Sequence, residues 1–299
     1  MNEITVKTIL NRKKVRDSWF LDDYTLNPFS GCSFNCLFCY IRGSKYGEHM
    51  ERKMSVKVNA PELLDKQLAL RARKRQYGVI VLASATDPYL QLESEVKMTR
   101  KLLEIILKYR FPVHLLTRSD LVTRDFDLLQ AIDEQAILPD DLKGRLRRGV
   151  VITFSFSGMD DQIASIFEPG ATRPSIRLET MRITREASFL SGVSMMPLLP
   201  YITDTTDHLH LMYEAFRKHN AQYVFPATLT LFGEEPSSSR TLVFRAIKKH
   251  YPDLYEKYNK FFSEHIALPA YYRNAFHLKI KELSTHYGIP DNILKVKNQ

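Results

Sequence analysis

From residue 61 to residue 229 the chain alternates two kinds of segment. Short apolar, β-branched runs bounded by turn residues read as strands buried on both faces. The clearest is 78–84 (Gly-Val-Ile-Val-Leu-Ala-Ser), followed by 112–117, 149–156, 192–198 (closed by Pro197 and Pro200) and 221–229, with 25–30 as a first strand before them. Between them, apolar residues recur at helical spacing. Helices are predicted at 61–76 (Leu63, Leu64, Leu68, Leu70), 94–109 (Val96, Leu102, Leu103, Ile106, Tyr109), 124–135 with Thr123 as its cap, 174–190, and 204–219 (Leu209, Met212, Phe216). The charged stretch 138–148 reads as a surface loop. This alternation implies a parallel sheet with crossover helices. About six strands fall short of the eight of a closed barrel. The fold class is therefore α/β: an open, partial (β/α)6 TIM-type barrel over residues 1–232. From 233 the pattern changes. A turn-like Glu234-Glu235-Pro236-Ser237-Ser238-Ser239 run leads into helical segments 241–250, 254–263 and 271–287, so 233–299 reads as a helical extension packed on the barrel. Its aromatics (Tyr251, Tyr255, Tyr258, Phe261, Phe262, Tyr271, Tyr272, Phe276) fit that packing, with a substrate-covering role beside basic neighbours as the alternative.

Composition adds bounds. No stretch approaches the ~20 apolar residues of a membrane span, and the polar N-terminus lacks the core of a signal peptide; a soluble, cytoplasmic protein without a membrane partner is expected. The formal net charge is +9, with basic clusters at 12–16, 71–75 and 143–148. These suit either phosphate contacts or solvated helix ends complementing the dipole, the latter favoured for 71–75.

The chemistry concentrates in one place. Cys32, Cys36 and Cys39 are the chain's only cysteines, in the run Asn27-Pro28-Phe29-Ser30-Gly31-Cys32-Ser33-Phe34-Asn35-Cys36-Leu37-Phe38-Cys39-Tyr40. Three thiolates on one loop can hold three corners of an iron–sulfur cube, and no fourth cysteine exists to close it. One iron would stay open to a small molecule, the usual mark of a reactive site. A disulfide framework is disfavoured by the odd count. A zinc site completed by His49 lacks the second distant Cys pair such sites usually carry.

The Cys-x3-Cys-x2-Cys loop, with Phe38 before its last cysteine, resembles the signature of the radical S-adenosylmethionine (radical SAM) enzymes. The resemblance implies a [4Fe-4S] cluster on Cys32, Cys36 and Cys39, S-adenosyl-L-methionine (SAM) chelated to the open iron, reductive cleavage to a 5′-deoxyadenosyl radical, and an electron donor such as flavodoxin or ferredoxin. Further segments are similar to the spore photoproduct lyase-like branch: Asn27 to Cys32, Thr86-Asp87-Pro88-Tyr89, Thr117-Arg118-Ser119, Pro197-Leu198-Leu199-Pro200 with Thr203-Asp204, and Tyr251-Pro252-Asp253. By that resemblance Thr86 contacts the SAM amino group, Arg118 (in place of the branch's lysine) and Ser155 its carboxylate, the Tyr40 backbone the adenine, and Arg177 lies near the cofactor. The branch also implies a nucleic-acid substrate bearing a lesion. One departure stands out. Spore photoproduct lyases carry a hydrogen-donating cysteine directly before the Thr/Ser-Asp pair; here that position is Ala85, leaving a tyrosine such as Tyr89 as a candidate donor. Two alternatives remain open at this level: the same radical chemistry on RNA, a peptide or a small molecule, and a non-catalytic zinc or iron–sulfur protein that binds nucleic acid.

Overall fold

The computed structural model describes residues 2–43, 54–82 and 85–296. The chain opens with short strands β1 (Asn2–Ile4), β2 (Leu10–Arg12), β3 (Tyr24–Leu26), β4 (Phe29–Ser30) and β5 (Ser55–Lys57), then helix α1 (Ala60–Arg73) and β6 (Ile80–Leu82). Next come α2 (Glu93–Val96), α3 (Met98–Tyr109), β7 (Val113–Thr117), α4 (Phe126–Gln135), β8 (Val150–Ser155), α5 (Asp161–Phe167), α6 (Pro174–Glu186), β9 (Leu190–Leu198), α7 (Thr206–Lys218) and β10 (Val224–Thr228). Three helices end the chain: α8 (Ser239–His250), α9 (Tyr255–Phe262) and α10 (Ala270–Tyr287). The main sheet runs β10-β9-β8-β7-β6-β3-β2. Its six strands β3 and β6 to β10 are parallel, and β2 pairs antiparallel with β3 at one edge. Among the described residues no strand pairing joins β10 to the other edge, in keeping with the partial barrel that the sequence pattern predicts.

Strand alternation divides the core in two. Ile80, Leu82, Val113, Leu115, Val150, Ile152 and Phe154 point outward into the layer of helices, where Val243, Ile247, Tyr258, Phe262 and Ile280 of the C-terminal helices join the same apolar cluster. Val79, Val151, Tyr223 and Phe225 point inward and meet Leu21, Leu142, Leu146 and Ile293 at the end where the strands begin. Trp19 stacks on Phe225 there, ring centroids 5.8 Å apart, so this end is plugged. The open mouth lies at the strands' C-terminal ends, where parallel α/β folds bind ligands.

A polar chain crosses the barrel interior. His114 Nδ1–H donates to the Phe20 carbonyl (2.7 Å), so Nε2 accepts from Thr153 Oγ1 (2.6 Å), which in turn accepts from the Tyr223 hydroxyl (2.6 Å). His114 is fully buried, and burial pushes its imidazole down to about 4. It is neutral in the fold but takes up a proton in the unfolded chain near the ordinary value of 6.5. Stability that is complete above that pH is therefore lost as pH falls toward 4. Between about pH 7 and about pH 5, urea-unfolding free energy should fall by about 2 kcal/mol more in wild type than in His114→Gln; parallel falls would remove His114 from the acid response.

The structure departs from the sequence pattern at definite places. The expected strand 25–30 is split at Pro28: β3 joins the main sheet, whereas β4 pairs with β5 in a separate three-stranded sheet. The end of the expected strand 78–84, Ala83 and Ser84, lies outside the described residues. The expected helix 94–109 breaks at Lys97, which is left-handed (φ +51°). Buried Glu93 causes the break, its carboxylate accepting the Thr99 backbone N–H (3.0 Å) at the start of α3. Thr123 is not the cap of α4. Its hydroxyl donates back to the Asp120 carbonyl within a 3-10 turn over Leu121–Asp125, and Asp125 precedes the helix. The 138–148 stretch is not only surface, because Leu142 and Leu146 fill the plug. Helix α5 was not anticipated; Asp160 caps it by accepting from the Gln162 and Ile163 N–H groups.

Candidate cofactor site at the barrel mouth

The cysteine loop leaves β4 through Gly31 and turns again at Asn35, both at positive φ (+83° and +52°). It is seated on the segment that follows α5. Leu37 N–H donates to the Phe167 carbonyl (2.8 Å), and Gly170 N–H donates to the Phe34 carbonyl (3.0 Å). A Cβ on Gly170 would stand 2.9 Å from Phe34 Cα, so only glycine permits this approach. Cys32 and Cys36 are buried, Cys39 is half-buried, and none forms a disulfide. Burial pushes all three thiols up, Cys32 to about 12 and Cys36 well above the usual value. Arg118 opposes the shift at Cys36, and Arg42 and Arg118 oppose it at Cys39. A bound cation would outweigh these effects, since coordinating thiols are deprotonated outright. Among the described residues no three His, Cys, Asp or Glu side chains gather as ligands of a single ion. His49 lies outside the described residues.

The strand ends bring most of the remaining candidates to the same mouth. Thr86 follows β6, and its buried Oγ1 has no hydrogen-bond partner. Asp87 is fixed by three donors, the Tyr89 N–H, the Arg118 N–H and the Thr117 hydroxyl (2.7–2.8 Å), while burial pushes its carboxyl up to about 6. Arg118, immediately after β7, does not pair with Asp120 or Asp125. Its Nη1 meets Glu168 (2.6 Å), its Nη2 donates to the Met196 carbonyl (2.8 Å), and its guanidinium lies over the Phe38 ring (5.5 Å). Ser155 closes β8 half-buried, but the serine hydroxyl in reach of Arg118 is that of Ser157 (3.4 Å). Arg177 lies behind this group, fully buried over Phe156. It shares Glu168 (3.0 Å) and donates to the Ser155 carbonyl, while its Nε and Nη2 have no partner. Burial lowers Arg177; at Arg118 burial also works against the charge, but Glu168 and Cys36 raise it on balance. Tyr40 is 60% exposed at the rim.

Tyr89 is fully buried; its hydroxyl, on the side of Asp125, has no hydrogen-bond partner, and its ring lies under Arg124 (6.0 Å), within the ion network that joins Glu93, Arg124 and Arg100. The three basic clusters share one end of the barrel, and Arg71 and Arg73 stand in the last turn of α1, as expected of a helix end. Residues 12–16 precede β3, 71–75 precede β6 and 143–148 precede β8, so all lie toward the plugged end. Several are already paired there: Arg16 with Asp23 (2.8 Å), Lys143 with Asp140 (2.5 Å), Arg148 with Asp133 (2.5 Å).

The profile of the Radical SAM superfamily matches residues 26–212, from the end of β3 to the middle of α7. The chain belongs to the radical SAM superfamily. It is therefore an enzyme of a class whose chemistry rests on SAM and an iron–sulfur cluster. An uncharacterized protein of Acidianus two-tailed virus is 28% identical over 281 residues, covering 90% of this chain and 83% of its own. An uncharacterized protein of Mycobacterium tuberculosis (strain ATCC 25618 / H37Rv) is 25% identical over 295 residues, covering 96% and 81%. Spore photoproduct lyase complexed with dinucleoside spore photoproduct shares the fold at TM-score 0.64 and 14% identity, over 97% of this chain and 80% of the other. No helix among the described residues is long and apolar enough to cross a membrane.

Proposed function

We propose that this radical SAM enzyme holds a [4Fe-4S] cluster on Cys32, Cys36 and Cys39 and binds SAM at the ends of β6, β7 and β8, in the manner of the spore photoproduct lyase-like branch. The observation that carries the reading is a juxtaposition: three thiols outside any disulfide, two of them buried and one half-buried, the Arg118 guanidinium near Cys36, and the buried, unpartnered Thr86 hydroxyl on one mouth. In a cubane each cysteine takes a different iron, so three thiols ring a volume instead of meeting at a point. When bound, the cluster and SAM supply a 5′-deoxyadenosyl radical by reductive cleavage. The chain's own residues bind and shield. Thr86 Oγ1 accepts from the amino group, Arg118 donates to the carboxylate, as a planar guanidinium is suited to do, and Ser155 and Ser157 add hydroxyls beside it. The Tyr40 backbone borders the adenine, and Arg177 acts through Glu168, holding Arg118 in place. The plugged end and the outer helices exclude water, as radical chemistry requires.

The substrate reading that follows from the branch is a nucleic-acid lesion, with residues 233–299 as a helical extension packed on the barrel and bordering the mouth. The shared fold supports it, as does a rim of aromatic and basic groups: Tyr201 stacks on Phe261 (5.9 Å) and carries Lys257 over its ring (4.7 Å), and Tyr271 is 65% exposed. A second substrate reading, a non-DNA molecule, is favoured by the basic clusters lying at the opposite end and by Ala85 in place of a donor cysteine. A flavodoxin or ferredoxin in the cytoplasm is the proposed electron source. The test is anaerobic reconstitution followed by dithionite reduction with SAM. Iron and sulfide near four per chain, with release of 5′-deoxyadenosine, are expected. One colourless zinc per chain and no SAM cleavage would replace this reading with a structural metal site.

A further inference from the structure

The cysteine loop is locked from behind by a segment almost two hundred residues later in the chain. Arg42, three residues past Cys39, is 1% exposed. Its Nε donates to the Cys36 carbonyl (2.9 Å), its Nη1 to the Ser237 carbonyl (3.1 Å, 195 residues apart), and its Nη2 to the Asn35 side chain. Its own N–H donates to the Cys39 carbonyl (3.0 Å). One rigid fork thus reads the turn at left-handed Asn35, the carbonyl of the middle cysteine and the entrance to α8. The backbones interlock beside it. Gly43 (φ +86°) faces Phe232, with a Cβ placed there 3.1 Å from Phe232 Cβ, and Gly233 (φ +71°) would put a Cβ 2.9 Å from Ser238 Cβ and 3.3 Å from Gly43 Cα. Phe232 is in turn tied to the helix start, its N–H donating to Ser239 Oγ (2.9 Å).

We infer that Arg42 is a positioning residue that couples the curvature of the cysteine loop to the turn entering α8. The geometry, not the charge alone, is what the site needs. Each acceptor lies in a different direction, and a guanidinium satisfies all three from one plane, which an ammonium on a flexible stem cannot do. The C-terminal helices therefore help shape the cysteine loop as well as covering the barrel. This rests on the cluster reading of the cysteines, but the coupling itself is a property of the loop and is measurable without iron.

The experiment uses full-length wild type, Arg42→Met, Arg42→Lys and Gly233→Ala, the last far from the cysteines in sequence. In iron-free protein, alkylation of Cys36 by iodoacetamide is timed by mass spectrometry. In reconstituted protein, iron release to a ferrous chelator and the EPR spectrum of the reduced cluster are recorded. All three variants should alkylate faster than wild type and lose iron roughly tenfold faster, as removal of an outer-shell partner typically does. Arg42→Lys should not restore the wild-type rate. Wild-type rates in Arg42→Lys would show that charge suffices, and wild-type rates in Gly233→Ala would show that the α8 turn is uncoupled; either overturns the inference. Should Arg42→Met fail to fold, the other two variants decide. Absence of iron in wild type would sink the cluster reading instead, while the alkylation rates still judge the clamp.

Discussion

Replacing Cys36 with alanine is expected to abolish 5′-deoxyadenosine formation and to prevent assembly of a full cluster, with no measurable residual turnover. The chain has no spare cysteine to substitute, since all three lie within the one loop. Loss of one thiolate leaves two protein ligands for four irons, too few for a stable cube. Cys36 also lies within the electrostatic reach of both Arg118 and Glu168. Arg118→Met should behave differently. It should load iron but require more SAM, raising KM by roughly tenfold or more for the lost charge-assisted contact. Anaerobic iron analysis and product chromatography on both variants separate the roles. A Cys36→Ala protein that still cleaves SAM would remove the loop from the chemistry altogether.

Much of this site was legible because its parts are either contiguous or sit at strand ends. The cysteines fall within eight residues, so spacing alone exposes them. Thr86, Arg118 and Ser155 were singled out by resemblance to the spore photoproduct lyase-like branch, and each ends or follows a strand, the stops that a parallel sheet brings to one face. What the sequence hid depends on long-range contacts that leave no periodic trace. Arg42 looks like any basic residue after a motif; its role exists only because Ser237 and Phe232 fold against it. Ser157, two residues past the end of β8, reaches Arg118 where Ser155 was expected to act. The break at Lys97 could not be read from apolar spacing, since it is made by a buried carboxylate, Glu93, that competes for the helix start. The same holds for Leu142 and Leu146, two apolar residues in a charged loop whose burial is decided by the barrel end that they plug. Basic clusters were visible, but their location opposite the mouth follows only from topology.

The second large effect concerns stability. Glu168 is 3% exposed and carries two guanidiniums, Arg118 at 2.6 Å and the fully buried Arg177 at 3.0 Å. Removing a charge from such a group strands its partners in a low-dielectric interior, which typically costs about 3–5 kcal/mol. Glu168→Gln should therefore destabilise the fold by roughly that amount and lower the melting temperature by on the order of 10 °C. Arg177→Met should cost much less. Glu168 would keep Arg118, the buried nitrogens of Arg177 that already lack partners would disappear, and an apolar chain of similar length suits the face of Phe156. The ordering is the sharp part of the prediction, because simple loss of packing would rank the two the other way: glutamine matches glutamate in volume, whereas methionine is smaller than arginine. Chemical-denaturant unfolding of the iron-free variants measures it directly. A Glu168→Gln protein as stable as wild type would mean that both guanidiniums find water or another anion, and the buried pairing that positions Arg118 beside Cys36 would have to be abandoned.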